Sequence, residues 1–131
     1  MTIGQVAQRA GIRVSAVRYY EAEGLLPAPP RIGGKRQYAP SVLETLAVIE
    51  LAKDAGFALK EIRAAFSMPE EPSVVWKRLA GRKRVELDRQ LSELARRRRV
   101  LRRLSRCECA SFDECGSIVA KKLAQNKTQP R

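Results

Sequence analysis

Apolar positions along this chain recur at helical spacing over most of its length. Ile3, Val6, Ala7 and Ala10 form a first stripe, and Thr2 with Gln5 ahead of it has the spacing of a capping box. Gly11 closes that helix, and Val14, Val17 and Tyr20 form a second stripe. A small residue at Ala7, a turn glycine and a branched Val17 predict a helix-turn-helix, because two helices cross closely over a small side chain and glycine reaches the left-handed angle between them. The pattern then breaks. Pro27, Pro29 and Pro30 precede Gly33-Gly34-Lys35-Arg36-Gln37-Tyr38, which predicts a short hairpin, or wing, whose tip reaches phosphates. Ser41 and Glu44 repeat the capping-box spacing and open a helix with Leu43, Leu46, Ala47, Ile49, Leu51 and Ala52 on its apolar face, ended by Gly56. Leu59, Ile62 and Phe66 predict one more short helix, and 67–73 reads as a linker.

From Val74 to Leu104 only Gly81 interrupts the helical pattern, at a cost of about 1 kcal/mol. Ala80, Leu87, Leu94 and Leu101 recur every seven residues, with Leu91 and Leu104 on the same face, which is a coiled-coil seam. Such a helix spans ~45 Å, too long to bury against a small amino-terminal domain, so a symmetric antiparallel pairing with a second copy is expected. The predicted fold class is mainly all-α. It comprises a winged helix-turn-helix DNA-binding domain over 1–72, a dimerisation helix over 73–105, a cysteine loop with a short helix over 106–124, and a disordered tail over 125–131.

Charge changes this picture less than its size suggests. The 131 residues carry a net +12, but residues 1–75 contribute +1, residues 76–106 contribute +10 and the remainder +1. The excess, including Arg96–Arg99, Arg102, Arg103 and Arg106, therefore sits on the long helix, where it reads as a solvated face rather than a second nucleic-acid surface. The segment expected to read DNA must do so with a few placed side chains. No stretch has the length and apolarity of a membrane span, which points to a cytoplasmic protein with reduced thiols. Histidine is absent, as is a glycine-rich phosphate cradle, and no paired carboxylates fall on a recognisable pocket element, so an enzyme is not expected. A thiol oxidoreductase built on Cys107 and Cys109 is the one enzyme reading with any sequence support.

Thr2-Ile3-Gly4-Gln5-Val6-Ala7, Val17-Arg18-Tyr19-Tyr20-Glu21-Ala22-Glu23-Gly24-Leu25-Leu26, Arg36-Gln37-Tyr38 and Gly56-Phe57-Ala58-Leu59-Lys60-Glu61-Ile62 together resemble the MerR family of transcription regulators. The resemblance runs over residues 1–118. It implies a homodimer bound to a pseudo-palindromic promoter, bending and untwisting the DNA so that RNA polymerase engages promoter elements spaced too far apart. It also implies that Ser15, Arg18 and Tyr19 meet the major groove and its phosphates, and that Arg36 and Tyr38 of the first wing and Lys60 of the second clamp the backbone. Tyr20 is expected in the core.

Cys107, Cys109 and Cys115 lie where sensing members of that family carry their sensor. Three thiols in nine residues converge readily on one soft ion such as Cu(I) or Hg(II). In the family's metal sensors two cysteines with seven residues between them bracket the ion, and Cys107 and Cys115 keep that spacing. Divalent-ion sensors place a further cysteine where Ser73 stands, which argues against zinc. The stretches Trp76–Leu79 and Glu86–Arg89 instead resemble an iron–sulfur sensor of the family, whose last three cluster ligands match these cysteines and whose first falls at Leu104; a [2Fe–2S] cluster takes four. In the third reading the cysteines form a structural site or merely pack the loop; a sensor-less protein that only shapes DNA is a separate alternative. A drug-binding domain is not expected, with only ~25 residues after the helix.

Overall fold

A computed structural model describes residues 1–128, with side chains described through residue 125. They fall into two compact units, Met1–Leu79 and a second from Ala80 onward. The order is α1 (Ile3–Ala10), α2 (Val14–Ala22), β1 (Arg31–Ile32), β2 (Lys35–Arg36), α3 (Val42–Asp54), α4 (Leu59–Phe66), α5 (Pro72–Ser105) and α6 (Phe112–Thr128). Among the described residues no helix is long and apolar enough to cross a membrane.

The helix-turn-helix forms as its residues dictate. Thr2 Oγ1 accepts from the Gln5 N–H at 3.3 Å, and the Gln5 side chain accepts from the Thr2 N–H at 3.0 Å. Gly11 takes φ 70°, a left-handed angle in which a Cβ is strained, and this lets the Ile12 N–H reach the Ala7 carbonyl at 3.0 Å. α1 packs on both α2 and α3, and α3 packs on α4. Val6, Val17, Leu46, Ile49 and Ile62 are fully enclosed at their centre. Val75, at the start of α5, is buried, and Trp76 meets Phe57 edge-on with ring centroids 6.0 Å apart. The start of α5 thus completes the first unit's core.

The predicted wing is a two-stranded antiparallel hairpin pairing Arg31 with Arg36 and Ile32 with Lys35. Gly33 and Gly34 both have positive φ, as the two-residue turn that matches strand twist requires.

Several expectations need correction. The Ser41–Glu44 capping box does not form. Ser41 adopts helical angles (φ −61°, ψ −16°) with no side-chain cap, and the Ala39 and Pro40 carbonyls take the N–H groups of Val42 and Leu43 instead. Helix α4 has only half a box: Glu61 accepts from the Ala58 N–H at 3.0 Å, and the alanine side chain has no oxygen with which to reciprocate. Helix α5 starts at Pro72 rather than after residue 73, because a first-turn proline loses nothing by lacking an N–H while the Glu71 carbonyl accepts from Val74 and Val75. The last helix runs to Thr128, so residues 125–128 are helical rather than tail; the rest of the expected tail, 129–131, lies outside the described residues.

Within the second unit the seam leucines are open to solvent in the single chain: Leu87 by 45%, Leu91 by 63%, Leu94 by 53%, Leu101 by 60% and Leu104 by 64%. Its charged side chains are partly matched, Glu93 pairing with Arg96 and Arg97 and Glu86 with Lys83.

Two buried phenols give this fold an alkaline limit. Burial, then the hydrogen bond to Glu21, pushes Tyr38 up to about 12, and burial chiefly raises Tyr20. The unfolded chain ionises its tyrosines near pH 10, so the native state binds more protons than the unfolded one between about pH 10 and 12 and loses stability as pH rises through that window. Denaturant midpoints measured from pH 8 to 12 will hold steady to about pH 10 and then fall, and Tyr38→Phe will make that fall shallower.

Candidate functional site

The second helix presents its two faces differently. Val17 and Tyr20 point into the core, which leaves Ser15, Arg18 and Tyr19 exposed on one ridge, Tyr19 at 52%. That ridge lies between two concavities. On one side a hollow of about 270 Å³ is shared by Arg18 with Arg31, Lys35 and Arg36 of the wing. On the other, a hollow of about 530 Å³ joins Tyr19 to Lys60 and Arg63 of α4. The structure therefore brings Ser15, Arg18, Tyr19, Arg36 and Lys60 into one basic neighbourhood, although the first 75 residues carry a net charge of only +1.

Tyr38 is placed otherwise than a phosphate clamp requires. Its ring is 4% exposed and its hydroxyl donates to Glu21 Oε2 at 2.8 Å. The other oxygen of that carboxylate faces Arg36 Nε at 3.7 Å. Tyr38 and Glu21 thus fix the wing against α2, and the surface is left to Arg36 and the strand residues beside it. Arg31, Lys35 and Arg63 were not singled out from the sequence. The signal for Arg31 was its cross-strand pairing with Arg36, which only the hairpin register reveals, whereas Lys35 is the neighbour of Arg36 on the same strand.

Tyr20 is buried, as expected, and polar at its tip. Its hydroxyl donates to Glu50 at 2.7 Å and accepts from Lys53 Nζ at 2.7 Å, and Lys53 also lies 5.3 Å from the ring centroid. The Tyr20 hydroxyl is thereby satisfied where α2 meets α3.

The second unit carries the thiols. Cys107 follows the end of α5, and Cys115 sits in the first turns of α6, whose start is capped from Ser111: its Oγ accepts the Glu114 N–H at 3.2 Å while the Glu114 carboxylate accepts the Ala110 N–H at 3.1 Å. All three sulfurs lie within 4.8 Å of one another, Cys107 and Cys115 only 3.3 Å apart, and none is in a disulfide. Hydrogen bonding divides them. The Cys109 backbone N–H, then the Cys115 and Cys109 thiols, hold Cys107 below the ordinary thiol value, whereas donation to Cys115 and Cys107 pushes Cys109 up to about 12. A cavity of about 580 Å³ adjoins them, walled by Val100, Leu104, Ile118 and Val119 and rimmed by Arg103 and Arg106. This donor set suits a soft ion. It does not suit a [2Fe–2S] cluster, which takes four ligands: the chain has three cysteines, and Leu104 lines the cavity as a hydrocarbon.

Comparison with known proteins agrees with these two sites. Residues 1–68 match the model of the MerR HTH family regulatory protein, and residues 43–104 match that of MerR, DNA binding. The HTH-type transcriptional activator SoxR homolog of Chromobacterium violaceum is 30% identical over 119 residues, 88% of this chain and 80% of that protein. The crystal structure of the transcription regulator PbrR691 from Ralstonia metallidurans CH34 in complex with lead(II) aligns with a TM-score of 0.70 at 32% identity, over 85% of this chain and 90% of that one. That of HiNmlR, a MerR family regulator lacking the sensor domain and bound to promoter DNA, aligns with a TM-score of 0.54 at 26% identity, over 73% and 76%. These relatives are transcriptional regulators rather than enzymes. With its helix-turn-helix, wing and long helix all matched, the chain belongs to the MerR family of transcriptional regulators.

Proposed function

We propose that this chain is a cytoplasmic, homodimeric regulator that binds promoter DNA, senses a soft metal ion of the Cu(I) or Hg(II) kind through Cys107, Cys109 and Cys115, and activates transcription by distorting the promoter for RNA polymerase. The observation that carries the sensing step is the convergence of three free thiols within 4.8 Å, the closest pair 3.3 Å apart, at the end of the long helix. The lead(II) complex of PbrR691 supports a thiophilic ion, and the promoter complex of HiNmlR supports DNA as the partner.

In this reading Ser15, Arg18 and Tyr19 enter the major groove, while Arg36 and Lys60 flank them as contacts to the phosphates. Tyr38 acts through position, holding the wing to Glu21. The leucine face of α5 pairs with a second copy; stripes of exposed leucine at seven-residue spacing are what such a seam leaves open in one chain. A soft ion held by the three thiols crosslinks the end of α5 to the start of α6 and fixes residues 107–118 around it. Phe112, 94% exposed, and Ile118 then dock on the helix pair, and the dimer shifts to the arrangement that bends DNA. The likeness to the SoxR homolog favours an iron–sulfur sensor as second reading, but the fourth ligand that reading needs is missing.

Three measurements test this reading. Arg18→Ala will weaken promoter binding about 10- to 100-fold in mobility-shift titrations, the loss of one strong nucleic-acid contact per protomer. Leu94→Glu will shift the protein from dimer to monomer in sedimentation equilibrium, since it places two charges in the seam. The double variant Cys107→Ser, Cys115→Ser will bind the promoter as the parent does and give no response to Cu(I) or Hg(II) in a purified transcription assay. A full response from it would leave the chain a DNA-binding protein whose trigger lies elsewhere, and equal DNA distortion with and without ion would make it architectural only.

A further inference from the structure

Three sulfur donors with no fourth restrict which ion completes its shell here. The chain has three cysteines and no histidine, and among the described residues no carboxylate oxygen joins the thiol cluster. A structural zinc site takes four ligands, as does a [2Fe–2S] cluster. Val100, Leu104, Ile118 and Val119 give the adjoining cavity a hydrocarbon wall, and Glu108, which also lines it, does not bring its carboxylate into the thiol cluster. Within one protomer an ion held there meets three sulfurs.

Sulfur spacing narrows the class. With metal–sulfur bonds near 2.3 Å, two thiolates lie about 4.6 Å apart across a linear ion, about 3.8 Å apart at a tetrahedral one and about 3.4 Å apart when their bonds meet near a right angle. Cys107 and Cys115 are 3.3 Å apart and already have the last of these spacings. The remaining sulfur pairs, all within 4.8 Å, close to it with an inward movement of Cys109 of no more than about 1.4 Å. Near-right angles on three sulfurs, with an apolar wall beside them, describe a pyramidal ion whose remaining direction is filled by its own lone pair.

Resting on the thiol-sensor reading above, we propose that the three cysteines of a single protomer form a complete pyramidal site for a trivalent thiophilic ion, arsenic(III) or antimony(III). Binding is an exchange without redox chemistry. With arsenite as As(OH)₃, three As–O bonds break and three As–S bonds form. Each thiol proton leaves with one hydroxide as water, and arsenic stays at oxidation state +3. Cys109 is the selective member, since a linear Cu(I) site uses two thiolates and leaves the third idle.

The test uses the full chain, reduced and held without oxygen. Sodium arsenite is titrated in, and unbound arsenic is removed by gel filtration. Bound arsenic per chain, free thiols and the arsenic–sulfur coordination number by X-ray absorption are then measured. One arsenic per chain, loss of all three thiols and three sulfur neighbours are expected. Cys109→Ser will bind arsenite at least tenfold more weakly, with far-UV circular dichroism showing that it keeps its helices. Leu104→Cys will supply the missing donor and bind Zn(II) at least tenfold more tightly than the parent. Half an arsenic per chain, loss of only two thiols, unchanged arsenite binding by Cys109→Ser, or parental zinc binding equal to that of Leu104→Cys would each overturn the proposal. Uptake of Cu(I) or Hg(II) without arsenite overturns this inference alone, whereas uptake of none of the three overturns the metal-sensor reading as well.

Discussion

The Glu21 carboxylate accepts the Tyr38 hydroxyl at 2.8 Å with one oxygen and faces Arg36 at 3.7 Å with the other, so a single side chain on α2 sets where the wing lies. A two-residue strand pair is too short to hold its own place. Beside this tie the hairpin has its backbone pairing and its bonds to Met1, whose carbonyl accepts from the Tyr38 N–H at 2.8 Å and whose amino group donates to the Tyr38 carbonyl at 2.9 Å and to Gln37 Oε1 at 3.4 Å. With it, the wing's arginines and Arg18 share one hollow. Placement stands in for bulk charge. A nearly neutral domain is locally basic where Arg18, Arg31, Lys35 and Arg36 line that hollow, and Glu21 holds Arg36 and Tyr38 beside it.

Much of this was legible in the chain, and the failures are informative. Ala7, Gly11 and Val17 announced two crossing helices, and Gly33-Gly34 announced the hairpin, because each depends on a steric property of one residue. Capping signals were less dependable. Thr2–Gln5 and Ser41–Glu44 have the same spacing, yet only the first forms a box, since Ser41 is drawn into helical angles by the turn before it. Ser111–Glu114 also has the spacing and does cap α6, but it was hidden among residues read for their cysteine chemistry. The resemblance implies Tyr38 as a backbone contact, and two-residue strands carry no alternation from which its buried position could be told. The convergence of the three sulfurs was legible in kind, from three thiols in nine residues, but not in degree. It depends on how α6 turns back after α5.

The uneven charge along the chain acquires a physical meaning beside the seam. Residues 76–106 carry a net +10, and the glutamates on that helix pair with only a few of its cations. Leucine burial must therefore overcome like-charge repulsion when two such helices meet, and that repulsion is screened by salt. Polyanions near the helix relieve it as well. On the dimeric reading, the assembly and the acid it binds favour each other through charge, with no shared contact needed.

On the same dimeric reading, the open leucine stripe on α5 also ties the protein's fate to its abundance. A chain that leaves part of its apolar surface for another copy has a stability that depends on how many copies are nearby. A newly made chain in a sparse population shows Leu91, Leu101 and Leu104 to whatever quality-control machinery surveys exposed hydrocarbon. A chain among many hides them. The seam would then act as a census, removing solitary copies and sparing paired ones, so that a cell keeps either a working pool of the regulator or very little of it.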